Sequence, residues 1–279
     1  MKQYLLDLVN TMDLSVIIVN YNTRKLTLDC IKSIINEGSK LQIEVIVIDN
    51  GSTDDSVIAI SKLKNQNSNL KLITNRMNLG FAKANNQGIK IAKGKFVLLL
   101  NSDTVVKKGT FKELIDFAEE NSDAGAVVPQ LLNADGSIQE SCFRFPTIGR
   151  AIKQYWFNLD NSLDKYFPAS KNSQPATIDV AVMAAFLITP IALKEIGYLD
   201  ERYFMYFEDF DYCRQIKRKG MKIYYLSSAQ VTHIHGASSN HDSDSWRKLI
   251  PSSKIYHGLI KHYIFNFILW SGQKFRKII

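Results

Sequence analysis

The chain has 279 residues, of which 46% are hydrophobic and 22% charged, a composition that supports a buried core and excludes a disordered tail. The net charge of +8 is concentrated in residues 245–279, which contain no acidic residue, so the rest of the chain is nearly neutral. Because nucleic-acid binding usually needs a broader basic face, we expect no nucleic-acid partner. Three widely spaced cysteines form neither a metal-binding pair nor a disulfide framework and fit a reducing cytosol.

The amino-terminal stretch MKQYLLDLVNTM is too short and too interrupted by charge to be a secretory signal. No run along the chain approaches the roughly 18 apolar residues of a membrane-spanning helix. We therefore expect a protein that is neither exported nor integral to a membrane.

Strand-like apolar runs alternate with helix-like segments in the first hundred residues. The runs are Leu14–Val19, Ile43–Ile48, Leu70–Ile73 and Phe96–Leu100, and a helical segment follows each of the first three. This alternation is typical of βαβ units, and unbroken apolar runs are typical of strands buried on both faces. The sequence therefore predicts an α/β fold with a doubly wound, mostly parallel sheet.

The pattern changes after Asp103. We predict a helix over Thr110–Glu120, a hairpin turn at Asn133–Gly136, loops from Pro146 to Pro175, a strand over Ile178–Ile188, and a helix that opens with the acidic segment Glu208–Asp211 and ends near Gly220. No linker separates these elements, so we expect them to complete a single domain over residues 1–244.

Residues 245–279 are predicted to form a basic, amphipathic helical tail. Apolar residues recur at helical spacing from Ser253 to Trp270, with Lys254, His257 and Lys261 between them. A helix lying on an anionic membrane surface has this pattern. A helix packed on the domain has it too, as does a contact between copies of the chain in a homo-oligomer, and the sequence leaves these alternatives open.

Polar residues follow three of the predicted strands at the edge of the sheet where ligands bind in open parallel sheets. They are Asn20, Tyr21 and Asn22, then Asp49 to Ser52, then Asn101 to Asp103. Each group alone is also typical of turns and helix caps. Neither G-x-G-x-x-G nor a phosphate loop is present, which disfavours dinucleotide-binding and P-loop proteins. A site remains in which Asp49 accepts a hydrogen bond from a nucleotide base and Asp103 holds Mg²⁺ or Mn²⁺ on a diphosphate.

Six segments carry a resemblance to a known family: LSVIIVNYN, VIVIDNGSTDDS, NLGFAKANNQG, LLLNSDT, YFMYFEDFDYCRQIKRKG and VTHIHGASS. In order and spacing they resemble family 2 glycosyltransferases of the GT-A fold, most of all the rhamnosyltransferase-type members, over about Leu14 to Ser239. The resemblance implies a metal-dependent transfer of rhamnose or a hexose from a dTDP- or UDP-sugar to a hydroxyl of a growing surface glycan or lipid-linked saccharide. With the basic tail, it implies a cytoplasmic protein held peripherally at the inner face of the membrane.

The resemblance also implies residue roles. Asp209, paired with Glu208, would be the catalytic base, Asp49 would contact the nucleotide base, and Asp103 with His233 would hold Mn²⁺ or Mg²⁺. Asn20, Tyr21, Asn22, Asn85 and Asn86 would help to cradle the nucleotide sugar, and Asn101 would touch the ribose or the water shell of the metal. Because an acceptor hydroxyl must lose its proton while the leaving diphosphate is stabilised, the base and the metal ligands must be different residues. No covalent nucleophile is needed, so inversion is expected.

Simpler interpretations and departures remain for several of these residues. Acids at a helix start also complement the helix dipole, and only the motif position favours His233 over His235. Asn101 replaces the first acid of a D-x-D motif, Gln215 stands where arginine is frequent, and Ala184 where glycine is frequent. Because of these departures, the resemblance defines the affinity for the metal and the contacts with the acceptor less well than the other properties of the site.

Two other functions stay open. A sugar nucleotidyltransferase has a similar sheet, but its usual Gly- and Arg-rich loop near the amino terminus is absent here. A non-catalytic glycan-binding or membrane-docking protein could retain the fold, although the joint presence of Asp49, Asp103, Asp209 and His233 argues against a decayed site.

Overall fold

The first half of the chain forms βαβ units, as predicted. In the computed structural model, which describes residues 12–159, 161, 163–168, 174–234 and 245–275 without the side chains of residues 245, 246 and 275, four strands alternate with three helices. They are β1 (Met12–Asn20), α1 (Arg24–Ile35), β2 (Ile43–Asp49), α2 (Ser56–Lys64), β3 (Leu70–Thr74), α3 (Phe81–Ile91) and β4 (Gly94–Asn101).

The second half contains two long strands, β6 and β11, several short strands and the remaining helices of the described part of the chain. In chain order these are β5 (Thr104–Val106), α4 (Thr110–Glu120), β6 (Ala124–Leu132), β7 (Cys142–Phe143), α5 (Ile148–Tyr155), β8 (Ala176–Ile178), β9 (Val180–Ala181), β10 (Ala185–Ile188), α6 (Pro190–Glu195), α7 (Glu208–Arg218), β11 (Lys222–His233), α8 (Ser245–His257) and α9 (Leu259–Phe275). The predicted turn at Asn133–Gly136 is present, with the backbone N–H of Asn133 donating to the carbonyl of Ser137.

Within the described residues, nine strands form one sheet in the order β3-β2-β1-β4-β10-β6-β11-β5, with β8 also paired to β11. Neighbours are parallel from β3 to β4 and between β6 and β11, whereas β10, β5 and β8 run antiparallel to their partners. The mostly parallel sheet is confirmed. In the register of β1, Asn20 lies beside Asp49 and Val19 beside Asn101, which brings the predicted polar residues to one edge.

The core lies on both faces of the sheet, which explains the unbroken apolar runs. Val16 and Ile18 of β1 pack into a cluster with Ile31 of α1 and Phe111 of α4, while Ile17 packs into a second cluster on the opposite face. Because successive side chains of a strand point to opposite faces, only a strand covered on both sides buries all of them.

Two predictions for the region after Pro146 are wrong. The loops predicted from Pro146 to Pro175 contain helix α5. Thr147 caps the start of this helix, because its hydroxyl accepts a hydrogen bond from the backbone N–H of Arg150 at 3.2 Å. The strand predicted over Ile178–Ile188 is three short strands, because β8 pairs with β11, β9 with β7, and β10 with β4 and β6. The run is buried except at Asp179 and Val182, which are partly buried, and each of its three parts pairs with a different strand.

The tail is two helices rather than the single helix predicted over Ser253–Trp270. Gly258, with φ of +75°, ends α8, and α9 begins at the next residue. The predicted apolar stripe is divided as a result: Tyr256 and Ile268 are buried, whereas Leu259, Ile260 and Tyr263 are exposed.

Both tail helices pack on the rest of the chain. Helix α9 lies against α5, where the indole N–H of Trp156 donates to Ser271 Oγ at 2.9 Å. A Cβ on Gly272 would lie 2.5 Å from the carbonyl oxygen of Tyr155, so the two backbones approach closely. In the part of the chain that the structure describes, no helix has the length and hydropathy needed to cross a bilayer.

Candidate active site

Asp49 and Asn20 form a buried hydrogen-bonded pair at the carboxyl ends of β2 and β1. Asn20 Nδ2 donates to Asp49 Oδ1 at 2.6 Å and to Ser52 Oγ at 3.0 Å, and its Oδ1 accepts hydrogen bonds from Thr23 and Thr27. The backbone N–H of Ser52 donates to Asp49 Oδ2 at 3.0 Å. Asn20 therefore orients Asp49, and its own amide is fully used inside the protein.

The residues that follow β1 lie at the surface of this edge. Tyr21 is exposed, and Asn22 has a positive φ of 54°. The backbone N–H of Asn22 donates to Ser52 Oγ at 2.9 Å, and its Oδ1 accepts from the backbone N–H of Thr53 at 2.7 Å. These bonds join the loops after β1 and β2 into one surface.

Asn85 and Asn86 are buried in α3 and have different partners. Asn85 Nδ2 donates to the carbonyl of Phe81 within the same helix. Asn86 holds the segment before α7, since its amide donates to the carbonyl of Leu199 at 2.8 Å and to Glu201 Oε1 at 3.1 Å, and accepts from the N–H of Leu199. The structure therefore gives Asn86 a structural partner where the sequence predicts a nucleotide-sugar contact.

Asp103 and His233 lie together where β4 and β11 end. Asp103 Oδ1 is 3.4 Å from His233 Nε2, both residues are buried, and neither carboxylate oxygen of Asp103 accepts a hydrogen bond from any described residue. Asn101 Nδ2 lies 3.5 Å from the same His233 Nε2. Three of the predicted residues are thus brought together by the sheet.

Gln139, which the sequence analysis did not identify, fixes the proton on His233. Its amide nitrogen donates to Asn133 Oδ1 and to the carbonyl of His233, so its Oε1 faces His233 Nδ1 at 2.7 Å as an acceptor. Nδ1 therefore donates to Gln139, and Nε2 is the ring nitrogen that faces Asp103. No motif marks Gln139, since it reaches His233 only through the turn after β6.

The donor set fits a divalent cation. A buried carboxylate without hydrogen bonds is unfavourable unless a positive charge compensates it, and a carboxylate together with phosphate oxygens of a substrate suits Mn²⁺ or Mg²⁺. Among the described residues, no cluster of three or more His, Cys, Asp or Glu side chains is placed to bind a metal. His235 lies outside the described residues.

Glu208 and Asp209 open helix α7 in a poorly solvated position. Glu208 is buried and its Oε2 accepts no hydrogen bond from the described part of the chain. Asp209 Oδ1 accepts from the backbone N–H of Phe210 at 2.8 Å. Burial raises the pKa of Asp209 to about 6, and burial together with the charge of Asp209 raises the pKa of Glu208 well above its ordinary value. Lys165 partly offsets the effect on Asp209.

Asp211, the third acid of this helix, already has partners. Its carboxylate accepts hydrogen bonds from Arg214 and from Gln215 Nε2, which lie three and four residues further along the helix. Gln215 thus occupies the second oxygen of Asp211. Both carboxylate oxygens of Asp211 therefore accept hydrogen bonds from its own helix, which distinguishes Asp211 from Glu208 and Asp209.

The segment before α7 joins the acids to the rest of this edge. Asn50 Nδ2 donates to the carbonyl of Gly80 at 3.3 Å, and the N–H of Phe81 donates to the carbonyl of Phe204 at 2.7 Å. Gly80 has φ of +87°, and a Cβ there would lie 2.5 Å from the oxygen of Phe204. The loop after β2, the start of α3 and the approach to Glu208 are therefore in direct contact.

Comparison with known proteins finds the model of the glycosyl transferase family 2 matching residues 15–160. A glycosyltransferase named GlyG from Streptococcus pneumoniae is 32% identical over 124 residues, which are 44% of this chain and 40% of that protein. An N-acetylglucosaminyl-diphospho-decaprenol L-rhamnosyltransferase from Mycobacterium tuberculosis is 27% identical over 224 residues, covering 73% of this chain and 70% of that one.

Among solved structures, the crystal structure of GalNAc-T7 with UDP, GalNAc and Mn²⁺ has a similar fold. It superposes with a TM-score of 0.63 at 17% identity, covering 81% of this chain and 44% of that one. Together with the sheet order, this confirms the predicted GT-A type of α/β fold.

Proposed function

Because this chain belongs to the glycosyl transferase family 2, we propose that it transfers a sugar, rhamnose or a hexose, from a dTDP- or UDP-sugar to a hydroxyl group with inversion. The acceptor is a growing surface glycan or a lipid-linked saccharide, a class suggested by the mycobacterial relative, whose name specifies an N-acetylglucosaminyl-diphospho-decaprenol substrate.

The observation that carries the proposal is the contrast between two carboxylates, one directly after β4 and one at the start of α7. Asp103 is buried without hydrogen bonds beside His233, which suits a metal ligand. Asp209 lies at the start of α7 with its pKa raised to about 6 by burial, which suits a group that takes a proton near neutral pH. The site thus has separate residues for the two tasks of the reaction.

The chemistry follows from these positions. Asp209 removes the proton from the acceptor hydroxyl as that oxygen attacks the anomeric carbon. Glu208, whose pKa is raised by burial and by the charge of Asp209, keeps its proton more readily and adds no second charge there. Asp49, held by Asn20, accepts a hydrogen bond from the nucleotide base, while Tyr21, Asn22, Asn85 and Asn101 line the donor side. Asp103 and His233 would hold Mn²⁺ or Mg²⁺, which when bound neutralises charge on the leaving diphosphate.

A second part of the proposal concerns location: the protein acts in the cytoplasm, at the inner face of the membrane. The outer face of α9, formed by Leu259, Ile260, Tyr263, Phe267 and Trp270, is more than half exposed at every position. Lys254 lies over the ring of Tyr263 at 5.8 Å and Lys274 over that of Trp270 at 4.6 Å. Aromatic and aliphatic side chains with lysines around them, in a segment without acids, complement an anionic lipid surface.

A panel of sugar nucleotides tests the proposed reaction. With dTDP-rhamnose, UDP-glucose and UDP-N-acetylglucosamine, we expect one donor to raise the melting temperature in Mn²⁺ and to release nucleoside diphosphate slowly to water. EDTA should remove both effects. If no sugar nucleotide stabilises the protein or is cleaved with the metal present, the proposed donor class is wrong.

A further inference from the structure

The segment of residues 204–207, directly before Glu208, ends in two residues whose backbone conformation needs external support. Tyr206 and Phe207 have φ values of 71° and 67°, a left-handed region that residues with a Cβ rarely occupy. Two such residues in succession persist only where their surroundings hold them in place. What holds Phe207 therefore also determines how Glu208 and Asp209 are presented.

This segment is anchored from two sides. On one side the backbone N–H of Phe81, at the start of α3, donates to the carbonyl of Phe204 at 2.7 Å. On the other side Ser252 Oγ, from tail helix α8, donates to the carbonyl of Met205 at 2.8 Å. The tail thus supplies half of the anchoring immediately before the strained pair.

Tyr256 of α8 contacts the acidic segment both before and after Asp209. Its ring is buried, with its centroid 5.1 Å from that of Phe207 and 6.0 Å from that of Phe210. The guanidinium carbon of Arg214 lies 4.1 Å from the same centroid, and Arg214 Nη1 donates to the carbonyl of Tyr256 at 3.2 Å. One side chain of the tail therefore packs on three residues of the acidic turn and helix.

We propose that Tyr256 is a positioning residue, whose ring fixes the turn from Phe207 to Phe210 and so aims the carboxylate of Asp209 at the acceptor hydroxyl. This inference rests on the proposed function and adds to it a role for the tail. The first tail helix belongs to the reaction site, while the outer face of α9 is free for another task.

The surroundings of Asp209 supply a readout specific to positioning. Lys165, from the segment beside it, lowers the pKa of Asp209, and the charge of Asp209 raises the pKa values of Glu208 and Cys213 on its own helix and of Tyr256 from α8. Removing the Tyr256 ring admits more water to this half-buried carboxyl. Because burial is what raises the pKa of Asp209, the acid limb of the activity profile should move to lower pH.

The test compares Tyr256→Ala with Tyr256→Phe, which keeps the ring, and with Ile58→Ala, which shortens an exposed side chain of α2. The reaction followed is release of nucleoside diphosphate from whichever of UDP-glucose, UDP-N-acetylglucosamine and dTDP-rhamnose is cleaved fastest with Mn²⁺. For Tyr256→Ala we expect kcat to fall by roughly 10–100-fold through misplacement of the base, an unchanged donor KM, and an acid limb at lower pH. Tyr256→Phe and Ile58→Ala should match the unmutated protein.

A second readout does not depend on turnover. Hydrogen exchange at the backbone amides of residues 204–210 should accelerate in Tyr256→Ala and in Tyr256→Leu, but not in Ile58→Ala. Because leucine leaves a smaller cavity than alanine, Tyr256→Leu separates a loss of positioning from a loss of folding. A normal kcat, pH profile and exchange rate in both Tyr256→Ala and Tyr256→Leu would overturn the inference while leaving the proposed function intact. If the unmutated protein cleaves no sugar nucleotide, the proposed function fails, and unchanged exchange would then overturn the positioning role separately.

Discussion

At the scale of residues, the polar side chains of the site fall into two groups according to whether their hydrogen bonds are filled. Asn20 and Asn86 use their amides on other parts of the protein, so they shape the site. Asp103 and Glu208 retain buried oxygens that accept no hydrogen bond from the described residues. Since such atoms are costly to bury unpaired, these are the positions at which ligand atoms or a shared proton are expected.

Removal of the charge of Asp103 should eliminate the effect of the metal on nucleotide binding. We expect Asp103→Asn and His233→Ala to bind UDP or dTDP equally in Mn²⁺ and in EDTA. Gln139→Leu removes only the hydrogen-bond acceptor of His233 Nδ1, and it should lower the affinity for Mn²⁺ by roughly 10–100-fold. Asp135→Asn, a like change on an exposed turn, should bind as the unmutated protein does. Isothermal titration decides this, and equal affinity with and without Mn²⁺ in the unmutated protein would contradict the metal assignment.

At the scale of elements, the two tail helices present their side chains to different surroundings. Helix α8 packs its Tyr256 on α7, and α9 packs Ser271 and Gly272 on α5. The opposite side of α9 carries the exposed aromatic and aliphatic residues. Packing on the domain and binding to a membrane, which the sequence left as alternatives, are therefore compatible in one tail.

The outer face of α9 should bind anionic vesicles. We expect the double variant Ile260→Ser, Phe267→Ser to lose most co-sedimentation with vesicles containing phosphatidylglycerol, because both side chains are exposed in the structure, at 79% and 57%. Ile58→Ser changes an isoleucine on α2 that is 58% exposed, and it should have no effect on co-sedimentation. Salt should weaken binding, since the Debye length falls to about 3 Å at 1 M.

Two results would count against the membrane interpretation. Equal binding to neutral and anionic vesicles would remove the role of the lysines. Self-association of the unmutated chain that the same double variant abolishes would instead identify this face as a contact between copies.

At the scale of the whole molecule, the amino-terminal half was predictable and much of the rest was not. Runs such as Ile43–Ile48 are buried on both faces, and their alternation with helical segments indicates parallel strands. The run Ile178–Ile188 is equally apolar, yet it changes partners twice, and no local pattern encodes that. Gly258 was a local sign of a helix end, and the helical spacing across it concealed the break.

The site was predictable to the extent that it is local. The motif order predicted roles for Asp103, Asp209 and His233, and the sheet brings Asp103 and His233 within 3.4 Å of each other. Gln139 and Tyr256 could not be identified, because they reach the site from a turn and from the tail across long stretches of sequence. Tertiary contacts of single residues leave no periodic signal.

The most direct test of the account compares Asp209→Asn with Asp211→Asn in the release of nucleoside diphosphate from the preferred sugar nucleotide with Mn²⁺. We expect Asp209→Asn to lower turnover by at least roughly 10²-fold with unchanged donor affinity, because it removes only the proton acceptor. In the unmutated protein and in Asp211→Asn, activity should rise as pH increases through about 6, where Asp209 loses its proton. Near-normal turnover in Asp209→Asn, with loss in a folded Asp211→Asn, would contradict the assignment of Asp209 as the base.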